Sequence, residues 1–526
     1  MRHAYGTLGI ATLFALGSAP TSAETLADAI IQAYNTNPTL ESSRYDVRAT
    51  DEGLVQAYAQ LRPSAELDVA GSYARTVEGR ATQQANPFGP SAFNRNSNSV
   101  QMVVTQPVYT GGRATAAQRA AIANIHAGRE TLRGAEGDLL LSVITAYVDI
   151  RRQYAALGIW QTSVDELGRL VQEIDARRIA GELTVTDVAQ ANAQLSIARQ
   201  EIAATEQALE AARADYVTLV GRVPGELAAE PALPRLPSRV EDAFNLAEQQ
   251  NPELQRAVFT EEESRATIVA AKAAGRPTLA LRGTAGLSGE AVPYHLRDQD
   301  QSYSAGLVLT VPLSVGGAIA SQIRQAEDRN GSDRFRIEVT RREVDRSVSY
   351  AWNQMVTAER QMALRQDRLR FAETQLDGMI NEYRVGLRST FDLLYAQQQL
   401  RDSQIALLAS QRDYYISQAA LLRQTGSLEV GAIMTGAQLH EPASHLHEIM
   451  RKNAVPWEMI FRKIDKAGAP GAKRRPLSQT HGDSPAPSWT PAATPPTTRD
   501  LSRSLPIAPI RDPMDQPVSG YGKPNR

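Results

Sequence analysis

The sequence predicts a mixed membrane α/β chain. It has four β-strands that go into a barrel shared between copies, carried by long antiparallel helical hairpins. Three observations predict it. Apolar residues recur every seven positions over long stretches, four short segments alternate apolar with polar, and one helix–strand–strand–hairpin unit is written twice.

The seven-residue pattern is clearest between Val344 and Gly426. Val348, Met355, Met362, Leu369, Leu376 and Tyr383 run outward, and Leu393, Leu400, Leu407, Tyr414 and Leu421 run back, with a tight turn over 384–388. Seven residues fall just short of two helical turns, so such a seam keeps facing its partner only in a left-handed supercoil. Ala396, Ser403, Ser410 and Ser417 form a second, small set that lets helix backbones approach closely. No proline lies between Pro312 and Pro442 to break these helices.

The repeat fixes the organisation. Leu26, Ala29, Asn37-Pro38, Leu40, Arg62-Pro63 and Leu67 return as Val240, Ala243, Asn251-Pro252, Leu254, Arg276-Pro277 and Leu281, each 214 residues later. Thr105, Gly111-Gly112, Ala146, Gly181, Asp187 and Gly221 return as Thr310, Gly316-Gly317, Ala351, Gly386, Asp392 and Gly426, each 205 later, so the second copy is shorter between Leu67 and Thr105. The first hairpin carries the same seams, with Val143, Ile150, Leu157, Val164 and Val171 outward and Val188, Leu195, Ile202, Leu209 and Tyr216 returning.

Taken in order, residues 1–23 read as a signal peptide: Arg2 and His3, an apolar run over 4–17, then Thr21-Ser22-Ala23, with cleavage expected between Ala23 and Glu24. The apolar run is shorter than the ~20 residues of a spanning helix, and no other segment is long and apolar enough, so any insertion must use strands. The first unit covers 24–221, with strands near 64–76 and 98–108 and a helical hairpin over 113–221. A linker over 222–239 carries Pro224, Pro231, Pro234 and Pro237. The second unit covers 240–430, with strands near 278–288 and 302–312 and a hairpin over 318–426. Residues 431–526 are rich in Pro, Ser, Thr and basic side chains without periodicity, and read as a disordered tail.

In the first strand Ala65, Leu67, Val69 and Tyr73 share one side and Glu66, Asp68 and Ser72 the other. The other three alternate likewise, which suits a greasy exterior and a wet interior. The lengths suit a tilted membrane crossing of ~9–11 residues. Four strands cannot close a barrel and open edges are not tolerated in lipid, so several copies must share one. Two would reach the ~8 strands at which spanning barrels begin, and three would give twelve.

Composition narrows the function. Cysteine is absent, which removes disulfides, thiolate metal sites, a catalytic thiol and an acylated lipoprotein cysteine. Formal charge is −2, with an acidic body and a basic tail, and no basic stripe suited to nucleic acid. His440, His445 and His447 precede Glu448, but read as a solvated segment rather than a metal site. No phosphate loop, zinc-protease, nucleophile-elbow or dinucleotide pattern is present, so neither catalysis nor a cofactor is expected.

The duplicated unit, the export signal and turns of the form Tyr-x-Val-Gly-Leu-x-Ser-x-x-Asp resemble the TolC family of outer-membrane efflux and secretion proteins. Residues 383–392 fit that turn best and 178–187 fit it loosely, and the resemblance spans 24–430. It implies a homotrimer: a twelve-stranded barrel in outer-membrane lipid, continued by a periplasmic tunnel of twelve helices. It also implies a passive exit duct for toxic compounds or polypeptides, opened by a periplasmic adaptor protein coupled to an inner-membrane pump or ABC exporter. The adaptor-docking tips would be Ala180, Gly181 and Glu182 in the first hairpin and Val385, Gly386 and Leu387 in the second. Ala180 and Glu182 depart from the family's apolar pattern. For the closed state, the resemblance has Tyr383 and Arg388 reaching toward Thr186 and Asp187, with Asp392 in an acidic ring. Tyr395 stands where a second acidic residue is expected. Asp187 and Asp392 also fit helix caps after the turns. A periplasmic coiled-coil adaptor needs only one hairpin, and a trimeric surface structural protein needs strands in only one half, so the duplication disfavours both.

Overall fold

The computed structural model describes residues 23–467, apart from 86–87, 89–91, 234–235, 291–296, 298, 434–440 and 454. Residues 1–22 of the expected signal peptide (1–23), His440 and the tail beyond 467 lie outside the described residues. Helices are α1 (Leu26–Thr36), α2 (Pro38–Ala59), α3 (Arg80–Ala85), α4 (Arg113–Ile179), α5 (Val185–Val220), α6 (Val240–Gln250), α7 (Pro252–Ala273), α8 (Ala318–Arg384), α9 (Thr390–Thr425), α10 (Val430–Ile433), α11 (Ala443–Lys452) and α12 (Glu458–Ala467). Strands are β1 (Ser64–Val77), β2 (Ala92–Tyr109), β3 (Thr278–Gly289) and β4 (Asp300–Thr310).

The strands form one antiparallel sheet in the order β1-β2-β3-β4. Its register unites the alternation: Leu67 opposes Met102, Met102 opposes Ala285, and Ala285 opposes Tyr303. One side thereby gathers Leu67, Met102 and Tyr303, and the other gathers Asp68, Gln101, Gly286 and Ser302. Hydroxyl pairs tie the polar side, Ser72 to Ser97 and Thr284 to Ser304, each at 2.7 Å. The apolar side stands open, with Val69 at 70%, Tyr303 at 77% and Leu307 at 67% exposure, as a lipid-facing sheet requires. β2 begins at Ala92 rather than near 98, and its polar Asn94–Asn98 stretch pairs with Gly71–Arg75.

Each hairpin has an outgoing helix of 67 residues and a return helix of 36. At ~1.5 Å per residue the outgoing helices run about 100 Å. The small seam positions pack deepest: Ala191, Ala198, Ala396 and Ser403 are at most 1% exposed, whereas Leu400 and Leu407 are only half-buried. The repeated Asn-Pro has a physical reason. Asn37 accepts from the Thr39 and Leu40 amides, capping α2, and donates to the Leu219 carbonyl at the end of α5. Asn251 caps α7 through Glu253 and Leu254 and donates to the Gln424 carbonyl at the end of α9. Proline then sits at the first helical position, where its missing N–H is harmless. One side chain thus ties the start of one helix to the end of another. Gly426 completes the second junction with φ +75, and a Cβ there would lie 2.2 Å from the Gln250 carbonyl oxygen.

Near the middle of α4 a core gathers Leu26, Ile30, Val143, Tyr147, Ile150 and Tyr216. Glu24 anchors the segment ahead of α1 there. Its amide donates to Glu226, and its carboxylate takes the Tyr216 hydroxyl and the Arg222 guanidinium.

The tail expectation is corrected over 443–467. α11 and α12 are ordered and pack on α2, α4 and β2. Leu446 and Met450 cover Leu54, Tyr58 and Ile125, His445 lies 3.3 Å from the buried Asp51 carboxylate, and Glu458 pairs with Arg62 at 3.0 Å. Asp465, fully buried, accepts from the Thr110 amide and hydroxyl, the Gly112 amide, and the Thr115 amide and hydroxyl. Gly112, with φ +88, brings no side-chain cap of its own to α4. A carboxylate 350 residues away therefore takes the Gly112 and Thr115 amides at that terminus, while the Thr110 hydroxyl it holds takes the Ala114 amide. Composition alone hid this, because the polar residues here face inward.

Candidate functional site

The tips combine two constraints: a helix must stop, and another must start after only five intervening residues. Gly181 (φ +84) and Gly386 (φ +78) supply the left-handed residue. The amides of Gly181 and Glu182 return to the Arg178 and Arg177 carbonyls, and those of Gly386 and Leu387 to Tyr383 and Glu382, which satisfies the helix ends. The next helices start with reciprocal caps. Thr184 and Asp187 exchange bonds at the start of α5, and Ser389 and Asp392 do the same for α9. The Thr184 amide, then its hydroxyl, hold the Asp187 carboxyl below its usual range. The Ser389 hydroxyl and amide do so for Asp392.

Arg388 does not reach Thr186 or Asp187 within the protomer. It pairs instead with Glu382 at 2.6 Å, because the turn folds position 388 back over 382, and this raises the guanidinium pKa further. The first tip carries the same brace with polarity reversed, Arg177 to Glu182 at 2.9 Å. Tyr383 is buried among Leu167, Ile174, Leu393 and Leu394, with the Arg177 guanidinium 5.1 Å from its ring centroid. Its hydroxyl has no hydrogen-bond partner among the described residues of the protomer. The buried Thr390 hydroxyl of the second hairpin, like that of Tyr383, has no hydrogen-bond partner among the described residues of the protomer. Thr186 is exposed, as are Ala180, Gly181, Glu182, Val385, Gly386 and Leu387. Glu382 and Arg177 are the residues that the sequence pattern did not single out. Their signal is positional, since they stand 205 residues apart and carry opposite charge.

Around these turns runs an exposed apolar rim. Ile179, Val185, Val385 and Leu387 are each at least 70% exposed, and Phe391 stacks on Tyr395 with centroids 6.4 Å apart.

A lipid-facing sheet whose strands run directly into duplicated helical hairpins of about 100 Å defines a class, the outer-membrane channel-tunnels that extend into the periplasm. The chain belongs to the outer membrane efflux protein family, whose model matches residues 29–222 and 243–427, one match per repeat. It is 30% identical to the outer membrane efflux protein BepC of Brucella suis biovar 1, over 82% of this chain and 91% of that protein. It is 25% identical to TolC of Escherichia coli, over 88% and 94%. Among solved structures, the Campylobacter jejuni CmeC outer membrane channel superimposes with a TM-score of 0.67 at 16% identity, covering 82% of this chain and 90% of that one. The Neisseria gonorrhoeae MtrE channel does so with 0.65 at 19%, covering 77% and 89%. The protein is an outer-membrane efflux channel of the TolC type.

Proposed function

We propose that three copies close into one duct, sealed at rest by the tips and opened when a periplasmic adaptor docks there. One observation carries this reading: the protomer is a strip with two unfinished edges. β1, α2 and α5 border one side, and β4 and α8 border the other. The α8 border bears an exposed apolar stripe of Phe335, Val339, Tyr350, Leu364 and Phe371, which recur on one helical face. Unlike edges that meet head to tail generate rings. Two copies would supply eight strands, an interior only wide enough for side chains to fill, so a conducting duct favours three. Each would join its β4 edge to the next copy's β1.

At the tips, the buried Tyr383 hydroxyl and the exposed Thr186 suit hydrogen bonds between neighbouring hairpins, while Arg388 braces its own turn through Glu382. Asp187 and Asp392 serve first as caps, and as acidic groups at the constriction second. The apolar rim over Ile179, Val185, Val385 and Leu387 is the surface an adaptor hairpin would cover. The adaptor would in turn couple the duct to an inner-membrane pump or ABC exporter. BepC is named for efflux and the relative AprF of Pseudomonas aeruginosa for alkaline protease secretion, so small compounds and polypeptides are both suitable cargo.

The test is the mass and conductance of the purified protein in mild detergent and planar bilayers. Three protomers per particle and a small, mostly closed conductance are expected. Monomers that conduct no ions overturn the reading.

A further inference from the structure

α12 is amphipathic in the reverse of the usual sense. Its polar side is turned inward: Asp465 is fully buried at the α4 terminus, Glu458 pairs with Arg62, and the Arg462 guanidinium lies 3.4 Å from the Tyr58 hydroxyl. Its apolar side is turned outward, with Met459 63%, Ile460 61% and Ile464 42% exposed, and Trp457, just before it, 49% exposed. In water this arrangement wastes apolar burial at roughly 25 cal/mol per Å². A helix oriented this way belongs against a non-aqueous phase.

Its position says which phase. α12 packs against β2 and the first turns of α4, and Asp465 bonds to Thr110 and Gly112, directly after β2 ends at Tyr109. That is the level at which the lipid-facing sheet gives way to the periplasmic helices. The exposed ridge thus continues the apolar belt of Met102 and Val104 on the same strand. Lys463 falls within the ridge, between Met459 and Ile460 in angle, and Lys466 flanks it; both are exposed on long stems that can carry the ammonium groups up to lipid phosphates. α12 meets the inner strand β2 and, through Tyr58 and Arg62, the bordering helix α2 and the approach to β1, so a second copy is the alternative cover that the test must exclude.

We propose that α12 is an interfacial membrane anchor. Its Met459–Ile460–Ile464 ridge enters the headgroup–acyl boundary of the periplasm-facing leaflet, and Lys463 and Lys466 meet anionic phospholipid headgroups. A chain without cysteine has no site for N-terminal cysteine acylation, and this helix gives it a second attachment besides the barrel.

The absence of cysteine also makes the full chain its own labelling background. Nitroxides would be placed by Ile460→Cys and Ile464→Cys in protein reconstituted into phosphatidylethanolamine–phosphatidylglycerol vesicles. Leu307→Cys serves as the barrel reference and Gln398→Cys as the helical one. Collision with oxygen should exceed collision with a water-soluble nickel chelate several-fold at 460 and 464, as at 307, and the order should reverse at 398. Chelate access at 460 and 464 with lipid access at 307 overturns the anchor alone. Chelate access at all three overturns the membrane placement of the sheet as well. Exclusion of both quenchers with spin–spin broadening between copies overturns the anchor in favour of a protomer contact.

Discussion

Replacing Asp465 measures how firmly the far end of the chain is held. One carboxylate oxygen accepts from the Thr110 amide and hydroxyl, each at 2.8 Å, and the Gly112 amide at 3.2 Å. The other accepts from the Thr115 amide at 3.1 Å and its hydroxyl at 2.7 Å. In Asp465→Asn the first oxygen keeps its donors without the charge, while the new amide group meets the Thr115 N–H donor to donor. The Thr115 hydroxyl can turn to accept from the new amide, so one N–H bond to a charged acceptor is lost, at ~1.5–3 kcal/mol. That converts to a ~10- to 150-fold loss of protection at ~1.4 kcal/mol per decade. The cost is capped by the docking energy of 443–467, because once the segment lets go the donors turn to water. Hydrogen-exchange mass spectrometry on the assembled protein reads this directly. Amides of α12 and of 110–116 should exchange faster in Asp465→Asn and faster still in Asp465→Ala. The start of α8, whose Gly317 terminus meets no such carboxylate among the described residues, should not change. Unaltered protection of α12 in Asp465→Ala would refute the reasoning, and so would concerted unfolding of α2 and α4.

The same carboxylate sets a pH dependence. Burial pushes its pKa up, but the Thr115 hydroxyl and the Thr110 amide and hydroxyl outweigh burial and hold it below the usual range. Docking stability is therefore complete above the ordinary carboxylate pKa of ~3.9 and is lost as pH falls through the lower folded value; pepsin cleavage of 443–467, blocked at mildly acid pH, should begin only below about pH 4. Asn251→Ser keeps a cap for α7 but cannot reach the Gln424 carbonyl, whereas Asn251→Ala loses both, so thermal denaturation should place Ser between wild type and Ala, with Ala costing ~2–4 kcal/mol. Gly386→Ala meets open space and bears only the left-handed backbone cost of ~1–2 kcal/mol, while Gly426→Ala drives a Cβ into the Gln250 carbonyl and should abolish assembly on a native gel. Tyr383→Phe and Arg388→Ala should each raise bilayer conductance beyond scatter between membranes; wild-type conductance in both would remove them from the gate.

Much of this architecture was legible because it is periodic. A seam of period seven and strands of period two leave their mark in any window, and a duplication makes each element testify twice. What stayed hidden depends on a single meeting in space. Asp465 finds Thr110 across 355 positions, and nothing local in a Pro-rich tail announces it. Arg388 finds Glu382 rather than Asp187 because a left-handed glycine reverses the chain between them. Asp187 and Asp392 are readable as caps from their turns, whereas the Tyr383 hydroxyl awaits a neighbour that one chain does not contain. β2 outran its expected start because Asn94–Asn98 pair through backbone and polar side chains, Ser72 with Ser97 and Tyr73 with Asn94, with no apolar rhythm to betray them.

The equal helix lengths carry a consequence for how the molecule can evolve. With outgoing arms of 67 residues and returns of 36 in both repeats, the proposed duct would bring all its tips to one depth and end flush. Deleting one heptad from a single hairpin would leave every second tooth of the crown about 10 Å short, and a docking ring could then seat on only half of it. Lengthening or shortening the duct to suit a different cell envelope thus demands matched edits in both halves of the gene.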